Sequence, residues 1–449
     1  MTGNTMETDS VSSLLWKFSV PAVAGMVVGA LYNVVDSIFV GRGVGEIALT
    51  AVTISFPIMT LLMAVGMLVG VGASAVVSIS LGQKNKEKAE WTLGNALTMM
   101  LIFVLSTTGI IIWKLDWLLV VCLGASPEVL PYAHDFLAII LLGSVFLHVG
   151  FGLNAVIRAQ GDPKIALATQ VLSAVINAIL NYYFVFQLGW GISGSAWATV
   201  IAQGFAAAWV LLHFTVGKGL LHLRFKYMIP RWRIINEIVK IGVAPFLLQV
   251  GASLVMVVLN LRIMLFGGET AVAAFGIINR VFMMVLMPVA GICQGAQPII
   301  GYNYGARKFD RVLEALKIAV LWSTLICVIG FASVELFAAQ IIQLFNDEPR
   351  LINLGTTGLR TYLVLLPVIG FQITSANYFQ AIGKAYYAVL FNILRQILVL
   401  IPMVFLLSHY FGLSGVWFAG PVSDFAATIA TGVYLLRDIR KDKRRFASA

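Results

Sequence analysis

The sequence predicts an all-α integral membrane protein: twelve transmembrane helices in two pseudo-symmetric six-helix bundles, related as a parallel repeat with a cleft between them. Three observations predict it: a composition too apolar for a water-facing surface, basic residues gathered on one side of the predicted spans, and a chain that aligns with itself at an offset of about 223 residues. Of the 449 residues 60% are hydrophobic and 11% charged, whereas a soluble domain carries about 25% charged residues. Mean hydropathy is +0.93. A spanning helix plus its connection takes about 35 residues, so the length accommodates twelve or thirteen spans.

Twelve apolar segments are legible, at about 15–40, 50–80, 92–113, 133–158, 165–188, 192–216, 240–266, 270–302, 315–338, 355–380, 387–408 and 414–436. With the N-terminus placed in the cytoplasm, 23 of the 30 Lys and Arg fall on the cytoplasmic side. Arg42, Lys114, Arg350 and Arg360 fall outside, and Arg262, Arg280 and Arg395 within spans. Cationic loops are retained on the cytoplasmic face during insertion, so the net charge of +10 records topology and not a nucleic-acid partner. Both termini are expected in the cytoplasm. The first dozen residues, MTGNTMETDSVS, are polar and acidic and do not read as a signal peptide. Cys122, Cys293 and Cys327 are odd in number and set in apolar segments, so neither a disulfide framework nor a metal site is expected.

Residues 46–82 lie over 269–305 without a gap, pairing Glu46 with Glu269, Gly72 with Gly295 and Gly82 with Gly305. Gly45 falls on Gly268, Gly161 on Gly383, and GISG at 191–194 on GLSG at 412–415. The chain therefore divides into a first six-helix lobe at 1–216, a basic cytoplasmic linker at 217–239 and a second lobe at 240–449. An even number of spans per half makes the repeat parallel. A cleft whose walls can rock is what alternating access requires. Proline at 21, 245, 288, 367, 402 and 421 falls inside spans, where each removes a backbone donor and permits a kink.

A charge within the bilayer costs at least about 2.5–3.5 kcal/mol on insertion scales, so each one needs a reason. Asp36 lies in the outer half of the first span, with Tyr32 and Asn33 one turn below. Its counterpart in the second half is Leu259, so the acid serves something other than the shared scaffold. Asn177 and Asn181, spaced i, i+4, share one face of the fifth span. With Asn154 of the fourth span and Thr199 of the sixth they can surround Asp36. Singly, each Asn reads as interhelical glue; as a set beside Asp36 they read as a site for a proton or a hard monovalent cation such as Na+. No protein-bound metal is otherwise expected.

Arg395 and Asp424 sit at matching depths of the last two spans and are expected to form a static ion pair. Arg280 is followed by Phe282, Met283 and Met287, an adaptable stripe for apolar ligands, or else plain packing. No phosphate-binding loop and no HExxH occurs, so no enzyme is expected, no cofactor, and any uphill transport must draw on an ion gradient. One monovalent cation crossing about 150 mV yields about 3.5 kcal/mol, enough for roughly 400-fold accumulation of a neutral substrate.

VPAVAGMVVGALYNVVDSIFVG at 20–41, RAQGDPK at 158–164 and QGAQPIIGYNYGA at 294–306 resemble the multidrug and toxic compound extrusion (MATE) family. RQILVLIP at 395–402 and SGVWFAGPVSD at 414–424 resemble its bacterial DNA-damage-inducible F-like branch. The resemblance covers essentially the whole chain. It implies a V-shaped pair of lobes in the bacterial cytoplasmic (inner) membrane that exports cationic, amphiphilic or aromatic drugs and toxic metabolites in exchange for H+ or Na+. It also implies a monomer surrounded by membrane lipid, with Asp36 as the coupling acid, Pro21 as the kinking proline, and Asn154, Asn177 and Thr199 as polar partners. Position 181, commonly a second Asp in this branch, is Asn here, which favours H+ over Na+. The acids of another branch are missing from the second lobe, where Gln249 lies in the seventh span. A lipid-linked precursor flippase of the same superfamily is the alternative; it requires a cleft lined by Arg262, Arg280 and Arg395.

Overall fold

The computed structural model describes residues 5–217 and 219–447; Lys218 of the linker lies outside them. Every regular element among the described residues is helical. The first six spans are Val11–Gly43, Glu46–Gly82, Lys86–Trp113, Leu130–Gln160, Pro163–Gln187 and Gly191–Thr215. The continuous helix Trp232–Gly305 has 74 residues, far longer than any bilayer, and breaks at Gly268, where φ is 68° and ψ −167°. It therefore supplies the seventh and eighth spans. Phe309–Gln343 is the ninth, and Pro349–Tyr362 with Leu366–Ala381, bent by 49°, form the tenth. The segment Ala385–Arg444 breaks at Gly412, with φ of 57°, into the eleventh and twelfth.

The turns repeat as faithfully as the apolar segments. Left-handed backbone occurs at Gly45 and Gly268, at Lys84 and Arg307, at Gly161 and Gly383, and at Gly191 and Gly412. Each pair is separated by the offset that the sequence alignment gives, so the halves share their corners as well as their helices. Lys84 and Arg307 adopt φ of 59° and 58° despite carrying side chains, a conformation costing roughly 1–2 kcal/mol outside glycine.

Two compact units result, Met1–Asp9 with Ala24–Phe246, and Ser10–Val23 with Leu247–Ala449. The segment 233–246 at the start of the seventh span is the repeat counterpart of Ser10–Val23, and each belongs to the unit built from the other half. In the first unit the exchange works through close backbone approach. A Cβ on Gly242 would stand 1.7 Å from the Leu68 carbonyl oxygen, and one on Gly72 would stand 2.2 Å from that of Ile238. The second unit reproduces the crossing, with Gly291 against Val23 and Gly295 against Ser19. Pro21 therefore lies two residues before the chain passes from one unit to the other.

Each unit has its own apolar core. That of the first runs through Val40, Leu62, Phe136, Leu137 and Ile192; that of the second through Leu259, Phe275, Ile278, Leu359 and Trp417. In each unit the end of the last span is clasped by polar groups at an earlier turn, that between the fourth and fifth spans in the first unit and that between the tenth and eleventh in the second. In the first unit Gln160 donates to Asp162 at 3.0 Å and pairs with His213 at 2.5 Å. In the second, Lys384 donates to Asp438 at 2.6 Å and to Asp442 at 2.8 Å. Burial alone would pull the Lys384 ammonium down, but the two carboxylate hydrogen bonds outweigh it and push it up from 10.5.

Candidate functional site

Three helices of the first unit each contribute two polar side chains one turn apart. The first span brings Tyr32 and Asp36, the fifth Asn177 and Asn181, and the sixth Ser195 and Thr199. Because residues at i and i+4 share a helix face, the six arrange in two tiers. In one tier Asn181 Nδ2 donates to Asp36 Oδ1 at 2.9 Å and Ser195 Oγ donates to the same oxygen at 3.0 Å. In the other, Tyr32 Oη and Asn177 Nδ2 both donate to Thr199 Oγ1 at 3.2 Å. Gly194 precedes Ser195, and a Cβ there would stand 3.1 Å from the Phe184 side chain, so the sixth span runs close to the end of the fifth. Asn177, Asn181, Ser195 and Thr199 are all buried.

The donor balance is uneven. Asp36 Oδ1 receives two hydrogen bonds, while the buried amide oxygens of Asn177 and Asn181 have no partner. Among the described residues no cation forms an ion pair with Asp36. An unpaired carboxylate beside two unsatisfied acceptors is a set that gains on taking up a monovalent cation. A proton on Asp36 would offer one O–H donor and call for an acceptor, which an amide rotation supplies. A larger cation would instead find the oxygens of Asp36, Asn177, Asn181 and Thr199. Among the described residues no cluster of three or more His, Cys, Asp or Glu assembles for a multivalent metal.

The second unit serves as an internal control. The counterparts of Asp36, Asn181 and Ser195 are Leu259, Met403 and Val416, and there they join the apolar core, with Leu259 at 2% exposure and Val416 at 0%. The second unit thus packs hydrocarbon at the stations that carry Asp36, Asn181 and Ser195 in the first, and places its own polar pair, Arg395 with Asp424, elsewhere on the last two spans.

Other expected site residues are placed elsewhere. Asn154 is not part of the cluster: its Nδ2 donates to the Ala166 carbonyl at 2.9 Å and its Oδ1 accepts from Arg158 at 2.5 Å. Ala166 lies fifteen residues, about 22 Å of helix, from Asn181. Phe282 is buried in the second core, edge-on to Tyr362, whereas Met283 and Arg280 are exposed and Met287 and Gln249 half-buried. Arg395 and Asp424 pair at 2.7 Å as expected, and Ser423 donates to the Arg395 carbonyl. Arg262 donates to Ser408 at 3.2 Å and lies 4.6 Å from the Phe405 ring centroid. Ser195 was not among the expected residues, although its i, i+4 relation to Thr199 matches that of the two asparagines.

The MatE family model matches the chain twice, over residues 21–183 and 244–406, two stretches related by the same 223-residue offset. The multidrug export protein MepA of Staphylococcus aureus (strain NCTC 8325 / PS 47) is 26% identical over 438 residues, covering 96% of this chain and 95% of its own. MepA of Staphylococcus haemolyticus (strain JCSC1435) is 28% identical over 410 residues, 91% of this chain and 90% of its own. A crystal structure of a MATE protein in the bent conformation superposes with a TM-score of 0.94 at 26% identity, covering 100% of this chain and 99% of that one. A MOP superfamily transporter from Pyrococcus furiosus, whose binding pocket is described as reversed in polarity, superposes with a TM-score of 0.92 at 26% identity and 99% coverage of both chains. With the family model covering most of the chain in two copies and the fold matched end to end, the protein belongs to the MatE family of multidrug and toxic compound extrusion transporters.

Proposed function

We propose that the protein is a secondary-active multidrug exporter of the bacterial inner membrane, exchanging amphiphilic, often cationic or aromatic compounds for H+ through Asp36. The observation that carries this reading is the polar cluster around Asp36, present in one copy of the repeat and replaced by hydrocarbon in the other. A group that one copy of the repeat does without, yet the other keeps in a medium hostile to charge, is there to bind something. The full-length similarity to MepA supports drugs as the exported class.

The single carboxylate of the cluster favours H+ over Na+. With Asn at 181, a sodium ion would meet one negative ligand and otherwise neutral oxygens. Uptake of the coupling ion at Asp36 neutralises the cluster, rearranges the hydrogen bonds of Asn181 and Ser195, and bends the first span near Pro21. Met283, Met287, Gln249 and Arg280 are proposed drug contacts of the second unit; Phe282 supports them from the core. Flipping of a lipid-linked precursor is not favoured, since Arg395 is held by Asp424 and Arg262 by Ser408 and the Phe405 ring. The transporter is expected to act as a monomer with both termini in the cytoplasm.

The test is efflux from proteoliposomes energised by a pH gradient alone or a sodium gradient alone, with wild type and Asp36→Asn. Drug efflux under the pH gradient that vanishes in Asp36→Asn, with the variant still inserted and monodisperse, supports the reading. Efflux under the sodium gradient only reverses the choice of ion, and full activity of Asp36→Asn overturns the role of Asp36.

A further inference from the structure

The stretch joining the sixth and seventh spans is a fastened bracket, not a slack tether. Asn95 of the third span donates to the carbonyls of Tyr227 at 3.1 Å and Ile229 at 3.3 Å, and its Oδ1 accepts from the Arg231 backbone N–H at 2.7 Å. Thr98 Oγ1 donates to the Met228 carbonyl at 2.7 Å. The Arg231 guanidinium lies 3.2 Å from the centroid of the Trp91 ring, and Tyr227 packs against the same ring at 4.9 Å. Lys88 closes the end of the bracket on Glu237 at 2.7 Å.

The depth of attachment is set by the third span itself. Its first ten residues, KEKAEWTLGN, carry four charges, whereas residues 96–113 carry none. Eighteen helical residues cover about 27 Å, close to the hydrocarbon thickness of a bilayer. Asn95 and Thr98 stand where the polar stretch gives way to the apolar one, so the bracket is held at the level of the headgroups. On its free side it displays Phe225 at 91%, Ile229 at 61% and Trp232 at 78% exposure, interleaved with exposed Arg224, Lys226 and Arg233. None of these three cations has a carboxylate partner among the described residues. Positive-inside topology needs only that cations lie in the loop; it does not require aromatic side chains beside them or a backbone pinned by Asn95 and Thr98.

We propose that segment 224–233 is a binding platform for anionic phospholipid headgroups of the cytoplasmic leaflet. Arg224, Lys226 and Arg233 pair with the phosphates while Phe225, Ile229 and Trp232 enter the acyl boundary, the arrangement expected of an amphipathic interfacial segment. The orientation rests on the positive-inside assignment of this loop, and the proposal does not depend on Asp36 or on the coupling ion.

The purified full-length transporter in detergent is titrated with dansyl-labelled phosphatidylglycerol and, separately, dansyl-labelled phosphatidylcholine, following energy transfer from tryptophan. Wild type is expected to prefer phosphatidylglycerol. Each cation contributes about fivefold, so Arg224→Gln/Lys226→Gln/Arg233→Gln loses on the order of a hundredfold in phosphatidylglycerol affinity and little for phosphatidylcholine. Thr98→Val keeps all three cations and loosens the backbone, and is expected to lower the same affinity by a smaller factor; size-exclusion profile and thermal midpoint report whether each variant is folded. Equal affinity of wild type for both lipids overturns the proposal, as does a folded triple variant that keeps the preference. Displacement of the lipid by soluble glycerophosphate at comparable concentration also overturns it, since it would mark a free-phosphate site.

Discussion

Asp36 and Leu259 occupy the same station in two copies of one helix bundle, yet Asp36 Oδ1 receives two hydrogen bonds across helices while Leu259 is sealed in a hydrocarbon core at 2% exposure. The bundle has been kept and its chemistry changed. That contrast marks what the first unit adds, and it makes the added groups open to test one at a time.

Ser195→Ala removes one of the two donors to Asp36 without creating a large void. Ion-driven efflux in proteoliposomes is expected to fall several-fold, with Ser195→Thr retaining most of it. Because Ser195 and Asn181 share one acceptor oxygen, Ser195→Ala/Asn181→Ala should differ from the product of the single effects, the signature of groups acting through one atom.

The Arg395–Asp424 pair is a different case, since both side chains are mostly buried and paired at 2.7 Å. Arg395→Met or Asp424→Leu leaves a buried partner uncompensated and should cost about 3–5 kcal/mol, whereas Arg395→Met/Asp424→Leu should recover most of it. Thermal unfolding followed by intrinsic fluorescence reads the difference.

At the crossing of the second and seventh spans, Gly242→Ala places a methyl on the Leu68 carbonyl. Backbone cannot step aside as a flexible side chain can, so the thermal midpoint should fall by several degrees. Gly109→Ala, where a Cβ meets nothing within 4 Å, should match wild type or exceed it.

Lys384 gives a pH signature. Its ammonium is held above 10.5 by Asp438 and Asp442, so the clasp contributes fully below that value and is lost as pH rises through the higher folded-state value. Protease resistance of the C-terminal helix should therefore persist to about pH 10 and decline above it. In Lys384→Met, which leaves two carboxylates facing each other, resistance should be low already at pH 7.

Lys84→Gly and Arg307→Gly each relieve a left-handed residue and should stabilise by about 0.5–1 kcal/mol, additively, because they lie in separate units. Equal midpoints for wild type and the double variant would contradict the strain argument.

The repeat, the span count and most of the Asp36 cluster were legible in the sequence, because period and pairing along the chain follow from helix geometry. Asn177 and Asn181 announced themselves by their i, i+4 spacing, and Arg395 with Asp424 by matching depth. Asn154 was misplaced because its residue type fits the cluster while its depth does not: it lies near the Ala166 end of the fifth span, far from Asn181. Ser195 was overlooked because a serine in a glycine- and alanine-rich helix looks like packing until Thr199 is seen one turn away. Phe282 fell in an attractive stripe, but a helix has more than one face, and only the tertiary packing on Tyr362 shows which one it uses. The clasp of Lys384 by Asp438 and Asp442 joins residues more than fifty positions apart, and no local pattern marks it.

The exchanged segments have a bearing on biosynthesis. The face of the second span at Gly72 has to wait, uncovered, until residues 233–246 have been made, more than 150 positions later. The opening segment Ser10–Val23, among the earliest to leave the ribosome, has its own partners near Gly291 and Gly295 still to be translated. Neither half can therefore mature as a finished domain before the other is under way. A chain cut between the sixth and seventh spans would yield two incomplete fragments, each missing a strip of helix that only its sister can return.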